Sequence, residues 1–175
     1  MAYMAFFCER TSPLKDMITL QIMINSLIKL LTNFILILVL LLAAGAASSQ
    51  ELSEHGNRLT GVTLGKVRLK AEVVDSPEKT YLGLGYRQSL PADRGMLFIF
   101  AEETYQQFCM RGMQFAIDIL WIGRGKVVGL EENVQPGEQR PLESPEPVRY
   151  VLEVNGGFCR RQGIKVGDPV QLGKE

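Results

Sequence analysis

Residues 66–74 read KVRLKAEVV. Val67, Leu69, Ala71 and Val73 alternate with Lys66, Arg68, Lys70 and Glu72, a period of two that puts one set of side chains on a core face and the other in water. The stretch predicts a half-buried β-strand. The period changes after Val74. Ser76 can cap free N–H groups, Pro77 suits a first helical position and Glu78 sits near a positive helix end, so a short helix is expected over 77–84. Gly83 and Gly85 stop it. Residues 88–95, QSLPADRG, are a loop by composition, and Met96 to Phe100 forms an apolar strand.

Further along, a strand is expected around residues 107–111, and 115–122 reads FAIDILWI, apolar on both faces except at Asp118. That strand belongs in the middle of a sheet. Gly123, Arg124, Gly125 and Lys126 make a tight hairpin into a strand over 127–133. A proline-rich loop, 135–147, leads to the strand 148–154, a two-turn helix within 155–162 closed by Gly163, and a last strand over 168–172. Many short strands with two minor helices predict a mainly β fold: a small antiparallel β-sandwich or barrel-like domain, preceded by an N-terminal hydrophobic targeting helix.

Upstream of the first strand, residues 30–47 read LLTNFILILVLLLAAGAA, with Lys29 before them and small residues from Ala43 to Ser49. These are the three parts of a secretory signal, with cleavage expected after Ala46. An uncleaved membrane anchor is the alternative, because the run approaches the roughly 20 residues that cross a hydrocarbon core. Either outcome exports the rest of the chain to the periplasm or the extracellular side. The expected organisation is 1–47 as signal or anchor, with Met17 or Met23 as alternative starts, 48–58 as a flexible linker, and 59–175 as one folded domain.

Charge excludes one class of partner. The chain holds 19 basic and 19 acidic residues, and removing 1–46, with Arg10, Lys15, Lys29, Glu9 and Asp16, leaves 16 against 17. No basic excess points to nucleic acid. The single histidine, His55, falls in the linker, so the domain lacks the imidazole that Ser-His-Asp and Cys-His catalysis and the commonest catalytic zinc sites need. No cofactor and no metal are expected.

Asp118 is the main site candidate, since an unpaired buried charge costs several kcal/mol and demands a partner. Arg87, Arg111 and Arg149 are the available guanidiniums, and Glu153 is a second carboxylate in a central strand. One reading is an ion-pair network that fixes strand register. The other is a shallow polar pocket of Arg111, Asp118 and Glu153, with Arg87 nearby, for a small polar ligand or a cation. Two carboxylates facing one cavity would also permit acid–base chemistry on an envelope polymer. Tyr105, in a polar stretch, is the surface aromatic expected to meet a ligand, whereas Phe115 and Trp121 read as core. Met96, Met110 and Met113 read as packing rather than as a copper(I) site.

Several separated blocks carry a resemblance: Gly83-Leu84, Arg87, Ser89-Leu90-Pro91, Asp93, Gly95-Met96-Leu97-Phe98, Met110, Asp118-Ile119, Tyr150 to Asn155, Gly157-Phe158 and Gly163 to Asp168. In order and spacing these resemble the family called domain of unknown function 192, over roughly residues 60–172. The resemblance implies a compact, mainly β domain, often behind a signal sequence, without an agreed activity. This chain departs from the family's Phe-Trp-Met-Lys-Asn-Thr at 108–113, which reads FCMRGM. It keeps the positive charge and loses an amide and a hydroxyl. Cys109 falls at that departure, and Cys159 also stands where the family commonly has another residue. With Cys8 on the far side of the targeting segment, a Cys109–Cys159 disulfide is expected in an oxidising compartment, against the alternative of two buried free thiols. The functional expectation is a non-catalytic exported domain that binds a small ligand, a glycan or another envelope protein. The alternatives are a hydrolase acting through Asp118 and Glu153, and a structural accessory without a ligand site.

Overall fold

The computed structural model describes residues 13–44 and 51–173. They fall into two units, one ending at Ser49 and one beginning at Gln50. The first unit's described part is helix α1 (Pro13–Ala44). Within it, Met17–Val39 is a 23-residue stretch long and apolar enough to cross a membrane, with Leu, Ile and Phe side chains exposed along its length. A signal sequence passes the same test. The expected cleavage position and Cys8 lie outside the described residues.

In the second unit, the chain runs β1 (Leu59–Leu64), β2 (Val67–Val74), α2 (Pro77–Leu82), β3 (Arg94–Thr104), β4 (Gln107–Phe108), β5 (Ile117–Gly123), β6 (Lys126–Val134), β7 (Leu142–Glu143), β8 (Val148–Asn155), α3 (Phe158–Gln162) and β9 (Val170–Leu172). Seven strands form one sheet in the order β6-β5-β8-β3-β2-β1-β9, and β4 pairs with β7 as a separate ribbon. The sheet curls into a half-barrel whose edges are stitched at one end. There Val127 N–H donates to Asp168, Gly167 N–H to Val127 and Val170 N–H to Gly125.

Alternation divides the strand residues between two faces. Leu69, Ala71, Leu97, Leu120, Ile122, Leu152 and Val154 pack with Phe158 and Cys159 of α3 inside the curl. Val74, Met96, Phe98, Ile117, Ile119, Trp121 and Val151 pack on the opposite, loop-covered face with Leu84, Leu90 and Met110. The mainly β class with two short helices is the one expected. The sheet is mixed, however: β2 and β3 run parallel, from Lys70 opposite Arg94 to Val74 opposite Phe98. A parallel pair needs a crossover, and residues 75–93 with α2 supply it. Strand β1, LTGVTL, pairs antiparallel with β2 and supplies an edge that sequence reading left unassigned.

Two expectations give way. Residues 51–58 are not a flexible linker: Leu52 bridges to Arg58, and Asn57 is buried. Ser53 Oγ accepts from the Asn57 N–H and donates to Glu72, so polar composition here serves a hydrogen-bonded turn. His55 is exposed beside Glu54, as a solvated residue. Nor is there a Cys109–Cys159 disulfide. Both thiols are free, Cys159 buried against the inner face and Cys109 exposed on the loop side.

Asp118 explains how α3 is held. It sits in β5 facing the inside of the curl, with no solvent exposure. Its Oδ1 accepts from the N–H groups of Asn133 (2.7 Å) and Gly157 (2.8 Å), and its Oδ2 from Cys159 N–H (2.7 Å). Gly157, the residue before α3, has no side chain to cap the helix. Asp118 therefore does from a neighbouring strand what an N-cap side chain does locally. Burial and the adjacent Asp118 carboxylate push the Cys159 thiol up, far from a reactive thiolate.

Asp118→Asn turns an NH2 group toward one of the three donors and should lower unfolding free energy by about 2–3 kcal/mol in denaturant melts. In a Cys8→Ser chain, a thiol reagent should label Cys109 in the native state and Cys159 only after denaturation.

Candidate functional site

The crossover between β2 and β3 lies over the outer face and forms the rim of a cleft. Ser76 Oγ accepts from Lys79 N–H (3.4 Å) at the start of α2, and Gly83 ends the helix at φ 49°. The rim is then fixed to the loop after β4, where Tyr86 N–H donates to the Gly112 carbonyl (2.8 Å). Gly112 has φ 72°, and a β-carbon there would meet the Tyr86 ring at 3.0 Å. That glycine lets the two loops touch.

Beneath the crossover, directly opposed residues of adjacent strands make a row across the sheet: Glu72, Met96, Glu153 and Ile119. Both acids are buried, at 4% and 5% exposure. Their environments differ. Glu72 takes a two-pronged ion pair from Arg87, at 2.7 and 3.1 Å, and further hydrogen bonds from Asn57 Nδ2 (2.8 Å) and Ser53 Oγ (2.9 Å). Burial opposes its ionisation, but these donors outweigh burial and hold its carboxyl below the usual range. Glu153 has no such shell. Its Oε2 is enclosed without a hydrogen-bond partner among the described residues. Burial pushes its carboxyl up to about 8, against a smaller opposing pull from Arg87.

Glu153 lies at the floor of a cleft of about 190 Å³ with Phe98, Phe100, Phe108, Tyr81, Met113 and Arg111 around it. Phe108 packs edge-on against Phe98 (4.9 Å between centroids) and Trp121 (5.5 Å), which fixes the wall. The Arg111 guanidinium stands 4.2 Å over the Tyr81 ring and makes no ion pair among the described residues. A second, wider hollow, about 680 Å³, lies across Gly83 and Gly85 and reaches Arg87, Met96 and Tyr86.

Of the residues expected to form the site, Arg111 and Glu153 share this cleft and Arg87 lies beside it. Asp118 does not. Adjacent positions in a strand point to opposite faces, and Asp118 opposes Val154 while Ile119 opposes Glu153. The sheet itself separates the two carboxylates, so neither the shared pocket nor the two-carboxylate hydrolase survives. Asp118's partners are backbone N–H groups rather than Arg87, Arg111 or Arg149, and Arg149 instead donates to the Phe100 carbonyl (3.0 Å). Tyr105 is exposed and does not line the cleft. Met96 and Met110 are core as expected, and Met113 packs against that core while also lining the cleft. Glu72, Ser53 and Asn57 were not foreseen. Glu72 continues the wet face of β2 in sequence, and only the crossover and the 51–58 turn cover that end.

Fold and site together define a curled β-sheet domain with a roofed aromatic cleft over a buried acid. The chain belongs to the DUF192 family, Uncharacterized ACR, whose model matches residues 60–172. Solved structures similar to it include the following two. One, from Sinorhizobium meliloti 1021 and provisionally described as a transcription regulator, has a TM-score of 0.64 at 31% identity, covering 70% of this chain and 97% of that one. The other, a protein of unknown function from Novosphingobium aromaticivorans DSM 12444, has a TM-score of 0.66 at 29% identity, covering 73% and 96%. No curated protein matches the chain.

The raised Glu153 carboxyl makes stability depend on pH. The folded chain keeps its proton up to about 8, whereas the unfolded chain releases it near the ordinary 4.5. Glu153 is therefore harmless below 4.5, and stability falls between 4.5 and 8 by roughly 1.4 kcal/mol per unit at the steepest. Glu72, held low, contributes in the opposite sense, losing its stabilisation only as pH falls through its folded value. Glu153→Gln should flatten the decline between pH 5 and 8 in thermal melts and leave the acid limb unchanged.

Proposed function

We propose that this chain is an exported, non-catalytic binding protein that takes a small ligand in the aromatic cleft above Glu153. The observation carrying this reading is the Glu153 carboxyl, buried at the cleft floor with Oε2 unpartnered. Such a group costs roughly 1–3 kcal/mol when left without a hydrogen bond, and a ligand that supplies the missing partner recovers that cost on binding. The surrounding rings give the apolar wall that small-molecule sites use, with a few convergent polar groups.

Helix α1 supports export, as signal or as anchor, because its apolar stretch is long enough to enter a membrane. The regulator description belongs to the Sinorhizobium meliloti protein. The near-balance of 16 basic and 17 acidic residues after position 46 favours a small ligand over nucleic acid here.

Met113 provides the reporter. With methyl-labelled methionine in the full chain, kept in mild detergent, a fragment set of sugars, cell-wall pieces, acids and amines should contain members that shift the Met113 signal. Phe108→Ala should abolish those shifts. A Met113 signal that no fragment moves would overturn the reading. A reporter enzyme fused after residue 175, active only outside the cytoplasm, should be active.

A further inference from the structure

The guanidinium and the carboxyl of the cleft, Arg111 and Glu153, are chemically unlike, and their difference restricts what can lie between them. Resting on the binding reading above, we propose that the cleft takes a small amphiphilic carboxylic acid. Its carboxylate pairs with Arg111 at the rim, its short apolar body lies among Phe98, Phe100 and Phe108, and an uncharged acceptor such as a ketone oxygen takes a hydrogen bond from Glu153 at the floor.

Arg111 is exposed and, among the described residues, has no carboxylate of its own. Tyr81 covers one face of its guanidinium at 4.2 Å, which holds the planar group while leaving its N–H edges for a planar anion. Arg87 is not available for that task, since both its prongs are on Glu72. At the floor, Glu153 is faced by Met96 and Ile119 in its row, with Glu72 beyond Met96 already neutralised by Arg87, and Glu131 beyond Ile119 paired with Arg140 at 2.6 Å. Cys109 and Tyr81 are the other titratable groups lining the cleft. Enclosure keeps Glu153 in its protonated form to about pH 8, so it donates rather than repels. One unneutralised cation and one neutral acid select an anion over an amine.

Size narrows the class further. A cleft of about 190 Å³ equals some six waters' share of liquid volume and falls below the usual range for drug-sized ligands. The body is therefore a few carbons long, and the carboxylate reaches the rim.

The test uses calorimetric titration of the full chain in mild detergent with 5-oxohexanoate, hexanoate, hexan-2-one and tetramethylammonium. 5-Oxohexanoate should bind at least tenfold tighter than hexanoate, which lacks the acceptor, and than hexan-2-one, which lacks the anion. Arg111→Gln should reduce 5-oxohexanoate binding to the level of hexan-2-one without changing the latter. Glu153→Gln retains a neutral donor, so its affinity should be the same at pH 7 and 9, whereas the unsubstituted chain should lose roughly tenfold per pH unit above 8. Hexanoate binding as tightly as 5-oxohexanoate, or tetramethylammonium binding best, overturns the ligand class. If other fragments still move Met113, the binding reading stands alone. If neither these probes nor the fragment set moves it, both fall.

Discussion

One carboxylate without a charged partner organises the inner half of this domain. Asp118 gathers N–H groups from the end of β6, from the turn after β8 and from the first turn of α3. The first is distant in sequence from the other two, and each would otherwise leave a donor buried without an acceptor. A charge-assisted hydrogen bond to backbone is stronger than a neutral one, and three on one group offset the desolvation of its charge. An arginine partner would have fixed only another side chain. Backbone donors fix the path of the chain, so the position of α3 and the filling of the curl by Phe158 and Cys159 depend on this residue.

The outer half depends on topology. Because β2 and β3 are parallel, the chain between them must pass over a face, and that passage creates a covered volume on a sheet face that would otherwise be wet. Two glutamates in one row then experience opposite environments two strands apart. Glu72 is surrounded by donors from the crossover and the 51–58 turn, and Glu153 by rings. The contrast sets one acid ionised and one protonated on the same surface, the arrangement by which neighbouring carboxyls acquire different roles. The fold thus distributes its buried hydrogen bonds unevenly, with Asp118 and Glu72 fully satisfied and Glu153 Oε2 enclosed without a partner among the described residues.

Much of the fold was legible because local signals agreed with the final structure. The alternation in 67–74, the Ser76-Pro77 helix start, the run 117–122, apolar except at Asp118, and the Gly163 stop all correspond to observed elements. The losses share a cause, namely that they concern what covers a residue rather than what the residue is. Glu72 has the spacing of a solvent-facing side chain, and nothing in KVRLKAEVV announces that Asn57 and Arg87 will close over it. Asp118 was rightly suspected of burial, but its partners carry no side-chain signature, since any residue has an N–H. Glu153 was singled out as a carboxylate in a central strand, yet its face relative to Asp118 requires the register across β5 and β8. The cysteines failed for the same reason, as compartment and an even count say nothing of which side of a sheet each thiol occupies.

The closing strand of the sheet joins the two ends of the folded unit: β9, finishing at Leu172, pairs with β1, which starts at Leu59. A ribosome delivers the chain from its N-terminus at about 5–20 residues per second. Once Val62 to Leu64 of β1 have been made, roughly 5 to 22 seconds therefore pass before their partners in β9 exist. Until then β1 has one open edge, and the residues that stitch β6 to the 167–170 segment have nothing to hold. Closing the sheet therefore waits on a pairing between strands far apart in sequence, the kind of contact that assembles slowly. The sheet therefore closes last along the edge where its first-made and last-made strands meet, and β1 rests on β2 alone until that happens.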